Sequence, residues 1–173
     1  MYKRLFDIES KLDEAMFLFG ARQTGKSTLL KERFKGKIYY DLLDPELRKF
    51  FKRNPNALKE ALSDKPAGTL VIIDEIQKVP ELLDIVHSLM VDKGLWFILS
   101  GSSARKLKKS GANTLGGRAI PETLYPLVWP EVTDFQLDRA VQNGMIPRHY
   151  MVPDATKRLK GYVEVYMNEE IRE

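Results

Sequence analysis

Apolar residues along this chain fall into two kinds of pattern, and the two alternate. Short unbroken runs such as Ala15-Met16-Phe17-Leu18-Phe19, Leu70-Val71-Ile72-Ile73 and Leu95-Trp96-Phe97-Ile98-Leu99 read as strands buried on both faces. Lys37 to Asp41 is a further strand of this type, more polar at its ends. Between these runs the apolar positions take helical spacing. The segment from about Ser27 to Phe34 predicts a helix, and Pro45 to Ser63 predicts a helical stretch broken at Asn54-Pro55. Pro80 is expected to open a helix whose face carries Leu82, Leu83, Val86, Leu89 and Met90. Strands that alternate with helices predict an α/β fold around a parallel sheet covered on both faces. A fifth strand is expected in Ala119 to Val128, at a sheet edge because Pro121 and Pro126 cannot both serve an interior ladder. Pro130 to Ala140 reads as a helix, and Asn143 to Pro153 as a turn-rich linker. The last helix carries Leu159, Tyr162, Val163, Tyr166, Met167 and Ile171 on one stripe, which calls for a partner surface. The expected division is a core over residues 1–140, followed over 141–173 by a linker and the start of a C-terminal helical region cut short here.

The turn after the first strand carries the chemistry. Gly20-Ala21-Arg22-Gln23-Thr24-Gly25-Lys26-Ser27 fits G-x-x-x-x-G-K-S/T, between a strand and a helix as a phosphate cradle requires. In such a loop backbone N–H groups turn inward, and the helix N-terminus adds partial positive charge. We take Gly20, Ala21, Arg22, Gln23, Thr24, Gly25, Lys26, Ser27 and Thr28 as the nucleotide-binding set. Lys26 is placed to reach the β- and γ-phosphates and the Ser27 hydroxyl to ligate Mg²⁺. Arg22 is expected either at phosphate or bracing Asp41.

A second acidic element follows. Leu70 to Glu75 looks like a Walker B strand, with Asp74 as the metal carboxylate at the strand's C-terminal end and Glu75 as the base that orients attacking water. Beyond the fourth strand, Ser100 or Ser102 is expected to sense the γ-phosphate or position water, the plainer role being a helix N-cap. Arg118, after Gly116-Gly117, is a candidate finger that would complete a neighbouring subunit's site.

The rest of the composition narrows the class. Lys and Arg total 28 against 24 Asp and Glu, a net +4, which permits nucleic-acid contact without arguing for it. The acid-free stretch from Ser100 to Ile120 bears Arg105, Lys106, Lys108, Lys109 and Arg118, and its ordinary fate is a solvated surface. Without cysteine there is neither a disulfide nor a thiolate metal site, which suits a cytoplasmic setting. His87 and His149 are expected on a helix face or in a loop. No run approaches the roughly eighteen apolar residues of a membrane span, and Met1 to Ser10 lacks a signal-peptide core.

Taken together, Gly20 to Leu30 (GARQTGKSTLL), Ile73 to Leu82 (IDEIQKVPEL), Ile98 to Leu107 (ILSGSSARKL), Gly111-Ala112-Asn113, Leu115 to Arg118 and Leu124 to Leu127 resemble the AAA+ ATPases. More narrowly, they resemble a prokaryotic branch with an N-terminal ATPase core before a C-terminal domain of uncertain function. The resemblance covers about residues 2–140. It implies a three-layer P-loop NTPase sandwich with a five-stranded parallel sheet in the order 5-1-4-3-2. ATP and Mg²⁺ are the implied cofactors, with Arg118 as the finger and self-association or a partner protein completing the site. Ala21 departs from the family's common Gly-Pro-Arg-Gln start, and a second-sensor arginine would lie in the C-terminal region. The leading expectation is ATP hydrolysis to ADP and phosphate, coupled to movement of an attached domain. A non-hydrolysing nucleotide switch and, more remotely, a P-loop kinase are the alternatives.

Overall fold

The computed structural model describes residues 2–9, 12, 14–102, 107 and 115–168. Five parallel strands, β1 (Ala15–Phe19), β2 (Ile38–Asp41), β3 (Leu70–Asp74), β4 (Trp96–Gly101) and β5 (Ile120–Thr123), stand in the order β2-β3-β4-β1-β5. This is the expected 5-1-4-3-2 order read from the other edge. The helices among the described residues are α1 (Lys26–Arg33), α2 (Pro45–Arg53), α3 (Ala57–Ala61), α4 (Leu82–Lys93), α5 (Leu137–Asn143), α6 (Pro147–Tyr150) and α7 (Thr156–Tyr166).

The unbroken apolar runs are explained by the two buried faces of the sheet. Side chains alternate along a strand, so each strand feeds both layers. Ala15, Phe17, Val71, Ile73, Phe97 and Leu99 face the layer that holds Phe51 of α2, Leu58 of α3 and Leu82, Leu83, Val86 and Leu89 of α4. Met16, Leu18, Ile72 and Ile98 face the other, with Leu29 and Leu30 of α1 and Ile8 from the N-terminal segment. Each of the Val, Leu, Ile, Phe and Met side chains among them contributes about 1.5–3 kcal/mol on burial. Helix ends follow local rules. The Asp44 side chain accepts from Glu46 N at 2.9 Å and Leu47 N at 3.3 Å with Pro45 opening α2, and the break at Asn54-Pro55 falls where expected. Gly94, at φ 63°, ends α4 in the left-handed region.

Four expectations need correction. Pro80 precedes α4 rather than opening it: Glu81 is the cap, and a 3-10 turn over Ile76–Lys78 leads in. The fifth strand is shorter than Ala119 to Val128, because after Thr123 the chain turns out of the sheet; Leu124 N makes a last bond of 2.8 Å to Phe19 O. It is an edge strand, as its prolines require. Pro130 to Ala140 is not one helix. A 3-10 turn over Trp129–Glu131 is followed by Asp134 at φ 56°, which interrupts any helix, and α5 starts only at Leu137. The stretch from Asn143 to Pro153 is packed structure rather than a bare connection. It contains α6 and buries Ile146 and Tyr150, the latter in a cluster with Leu127 and Val132. Asn143 fastens it, donating to Val152 O at 2.6 Å and accepting from Ala155 N at 3.2 Å.

In α7 the stripe divides. Leu159, Tyr162 and Tyr166 are half-buried, whereas Val163 and Met167 are exposed. Ser103, Arg105, Lys106, Lys108, Lys109, Gly111-Ala112-Asn113 and Ile171 lie outside the described residues. No helix among the described residues is long and apolar enough to cross a membrane.

Candidate functional site

The segments that leave the C-terminal ends of β1, β2 and β3 converge on one cavity of about 590 Å³. One wall is the loop from β1 to α1, contributing Arg22, Gln23, Gly25, Lys26, Ser27 and Thr28. Opposite stand Glu75 and Lys78, and α6 closes a third side with Pro147 and Arg148. The loop's path depends on unusual backbone angles. Gly20 sits at φ 152°, Gln23 at 64° and Gly25, the residue before α1, at 98°. Gly20 is also a close-approach position, since a Cβ there would lie 2.3 Å from Leu124 O. Thr24 is buried and its hydroxyl donates to Ala21 O at 2.9 Å. Lys26, 5% exposed, donates from Nζ to Gly20 O at 2.7 Å and Ala21 O at 3.1 Å, holding its ammonium across the loop.

The acidic wall is a chain of hydrogen bonds. Asp74 is fully buried at the end of β3. Its Oδ2 accepts from Tyr39 OH at 2.6 Å and its Oδ1 from the Ser100 hydroxyl. Ser100 Oγ in turn accepts from Glu75 N at 3.3 Å. Tyr39, on β2, is pushed well above the usual phenol range, first by burial and then by the Asp74 carboxylate, with a hydrogen bond to Ser27 pulling the other way. The phenol therefore keeps its proton at neutral pH and links Asp74 to Ser27. Glu75 adopts φ 61°, ψ 45°, a left-handed conformation that costs a non-glycine residue about 1–3 kcal/mol. That step turns the chain out of the strand, so Asp74 lies beneath while Glu75 lines the cavity.

The structure separates the two candidate serines. Ser100 lies within β4 and touches Asp74, so it is no helix cap. Ser102 is buried beside a different cavity of about 440 Å³, with Gly20, Ala21 and Thr123. Asp41 is held by Lys31 at 3.0 Å and Leu43 N at 3.1 Å, while Arg22 faces the cavity together with Arg148. Arg118 is exposed ahead of β5, where Ile120 pairs with Met16 near the start of β1. The phosphate loop leaves the other end of β1, so Arg118 does not reach this chain's own cavity.

A family model for the AAA domain matches residues 12–133. The chain belongs to the AAA domain family. Uncharacterized protein MJ1544 of Methanocaldococcus jannaschii is 30% identical over 174 residues, covering 96% of this chain and 36% of that protein. The chain thus spans little more than a third of that relative's length. The fold is shared with the Walker-type ATPase PABY2304 of Pyrococcus abyssi, at a TM-score of 0.53 and 17% identity over 90% of this chain and 68% of the other. Family and fold make this an ATPase-like, nucleotide-binding AAA domain.

Several residues that line or brace the AAA domain's cavity were not legible as site residues in the sequence. Arg148 arrives from the stretch read as a linker, and no spacing rule connects it to the loop. Tyr39 sits in an ordinary strand pattern. Its only signal is a polar-tipped aromatic one strand away from the Asp74 strand. The third is the N-terminal segment behind the loop. Arg4 donates to Thr24 O at 2.6 Å and to Glu131 at 3.0 Å, joining residues 127 apart in sequence. His87 lies half-buried on α4, and His149 is buried on α6 with its ring edge-on to Tyr162 at 5.7 Å.

Proposed function

We propose that this AAA domain is a Mg²⁺-dependent ATPase that hydrolyses ATP to ADP and phosphate and uses the step to move an attached domain or partner. The observation that carries the reading is Glu75, held in a left-handed turn directly after a buried metal-type carboxylate and facing Lys26 across one cavity.

The donor set suits Mg²⁺. This ion takes hard oxygen ligands, commonly one or two carboxylates plus substrate phosphates. Asp74 supplies the carboxylate and Ser27 the hydroxyl, with Tyr39 hydrogen-bonded to both. Bound there, Mg²⁺ would neutralise charge that develops on the β- and γ-phosphate oxygens. The chain's own groups do the rest. Lys26 exchanges its loop carbonyls for phosphate oxygens. Gly25 and the start of α1 present backbone N–H groups to the phosphates. Glu75 takes a proton from water as the water oxygen attacks the γ-phosphorus and the bond from that phosphorus to the β–γ bridging oxygen breaks; the proton then passes to solvent or phosphate. Ser100 fixes the backbone of Glu75 and the carboxylate of Asp74 in one register. Arg148 is placed to meet charge on the open side of the site. Arg118 is assigned to a neighbouring molecule's site, since its position is remote from its own.

The test is calorimetric titration of Mg·ATP, with phosphate release measured on the same samples. Lys26→Ala is expected to lose or strongly weaken binding. Glu75→Gln is expected to bind normally and to lower turnover by about 100-fold or more, the scale of a removed general base. Saturable binding with equal phosphate release by parent and Glu75→Gln would instead identify a nucleotide switch.

A further inference from the structure

We propose that Gln77 is a positioning residue for Glu75, holding its carboxylate toward the cavity so that one oxygen remains to take the proton of the attacking water. The proposal rests on the hydrolytic reading above. Gln77 lies in the 3-10 turn over Ile76–Lys78, and its Nε2 donates a hydrogen bond to Glu75 Oε2. The turn is itself closed on Glu75, whose carbonyl accepts from Lys78 N at 2.9 Å. The other half of the Gln77 amide makes no such bond. Its Oε1 is buried without a hydrogen-bond partner among the described residues. It lies against Gly101 at the end of β4, where a Cβ would come within 2.7 Å of it.

That combination is costly unless it serves something. A buried, unpaired carbonyl forfeits its hydration, and native structures rarely tolerate one. Reversing the amide would not help, because it would set a carbonyl against a carboxylate. Glu75 thus dictates which way the amide faces, and the bare backbone of Gly101 leaves room for the amide oxygen. A second strained feature falls on the same pair, since Glu75 adopts the left-handed conformation. Both ends of Glu75 are therefore fixed: its N–H by Ser100, which also binds Asp74, and its Oε2 by Gln77. Gln77 itself is not among the residues that line the cavity, which separates its role from that of the base.

The test is phosphate release by the full chain for the parent, Glu75→Gln and Gln77→Met, with Mg·ATP affinity measured for each. Methionine keeps the length of the side chain and removes the donor. Gln77→Met is expected to lower kcat by about 10- to 100-fold, the scale of one hydrogen bond to a charged group, with KM and affinity within about twofold of the parent. Should that variant fail to fold, Gly101→Ala gives the same reading, since its Cβ displaces Gln77 Oε1. Parental kcat in a folded Gln77→Met would overturn the proposal alone, as would a loss of affinity that matches the loss of rate. Equal rates for the parent and Glu75→Gln would overturn the hydrolytic reading and this proposal with it.

Discussion

Glu131→Ala is expected to lower the free energy of unfolding by about 3–5 kcal/mol, read by urea denaturation with an unchanged m-value. The magnitude follows from what the carboxylate satisfies. Its side chain is 3% exposed and pairs with Arg4, 9% exposed, at 3.0 Å. It also accepts from Leu5 N at 2.7 Å and Val128 N at 3.1 Å. Truncation leaves a buried guanidinium without its counter-charge and two backbone donors without their acceptor. Arg4 keeps its bonds to the neutral carbonyls of Thr24, Tyr125 and Pro126, at 2.6, 2.7 and 3.4 Å. The exposed pair of Lys31 and Asp41 has nearly the same separation, 3.0 Å, but side-chain exposures of 55% and 31%. Lys31→Ala should therefore cost no more than about 1 kcal/mol. Two ion pairs of equal length thus test whether burial, rather than distance, sets the energy. A loss under about 1 kcal/mol for Glu131→Ala would show that the N-terminal segment does not brace the phosphate loop through this pair.

The same contrast explains which parts of the molecule were legible in the sequence. The β1 and β3 runs, the G-x-x-x-x-G-K-S loop and the Asp74-Glu75 pair are local patterns, in which a few adjacent residues specify both conformation and chemistry. The order of the strands came from resemblance, because nothing in the run of residues 96–101 says that it lies between β1 and β3. Residues 129–150 were misread because their conformation is set from a distance. Glu131 is bound to Arg4 and Leu5 as well as to Val128 of its own turn, and Tyr150 is buried against residues such as Leu127 and Tyr2. Local propensity favoured a helix and then a linker, and tertiary contacts decided otherwise. Arg148 enters the cavity for that reason. Gln77 was visible only as one letter of a motif, and its role depends on an amide orientation that only coordinates reveal.

Gly20→Ala is the second change with a large expected effect, and it separates two meanings of a glycine in a phosphate loop. Were Gly20 needed only for flexibility, alanine would cost roughly what any left-handed non-glycine residue costs, about 1–3 kcal/mol. The structure adds a steric term. The new Cβ would stand 2.3 Å from Leu124 O, and that atom is backbone. Leu124 cannot retreat freely, because its N–H is bonded to Phe19 O at 2.8 Å, the last bond between β1 and β5. Relief requires either lifting the end of β5 from β1 or moving the loop, and overpacking of this kind adds about 1–3 kcal/mol. The expected total is about 2–6 kcal/mol, measured by denaturant unfolding. Nucleotide binding should fall further than stability alone dictates, since Lys26 Nζ takes its position from the carbonyls of Gly20 and Ala21. Gly36→Ala is the control, being left-handed at φ 83° with nothing within 4 Å of its Cβ; it should show the conformational cost without the clash or the loss of binding. Equal losses at the two glycines would remove the close approach of Leu124 from the explanation. A far larger loss at Gly20, with Mg·ATP binding gone in the fraction that still folds, would locate the phosphate cradle at the junction of β1 and β5.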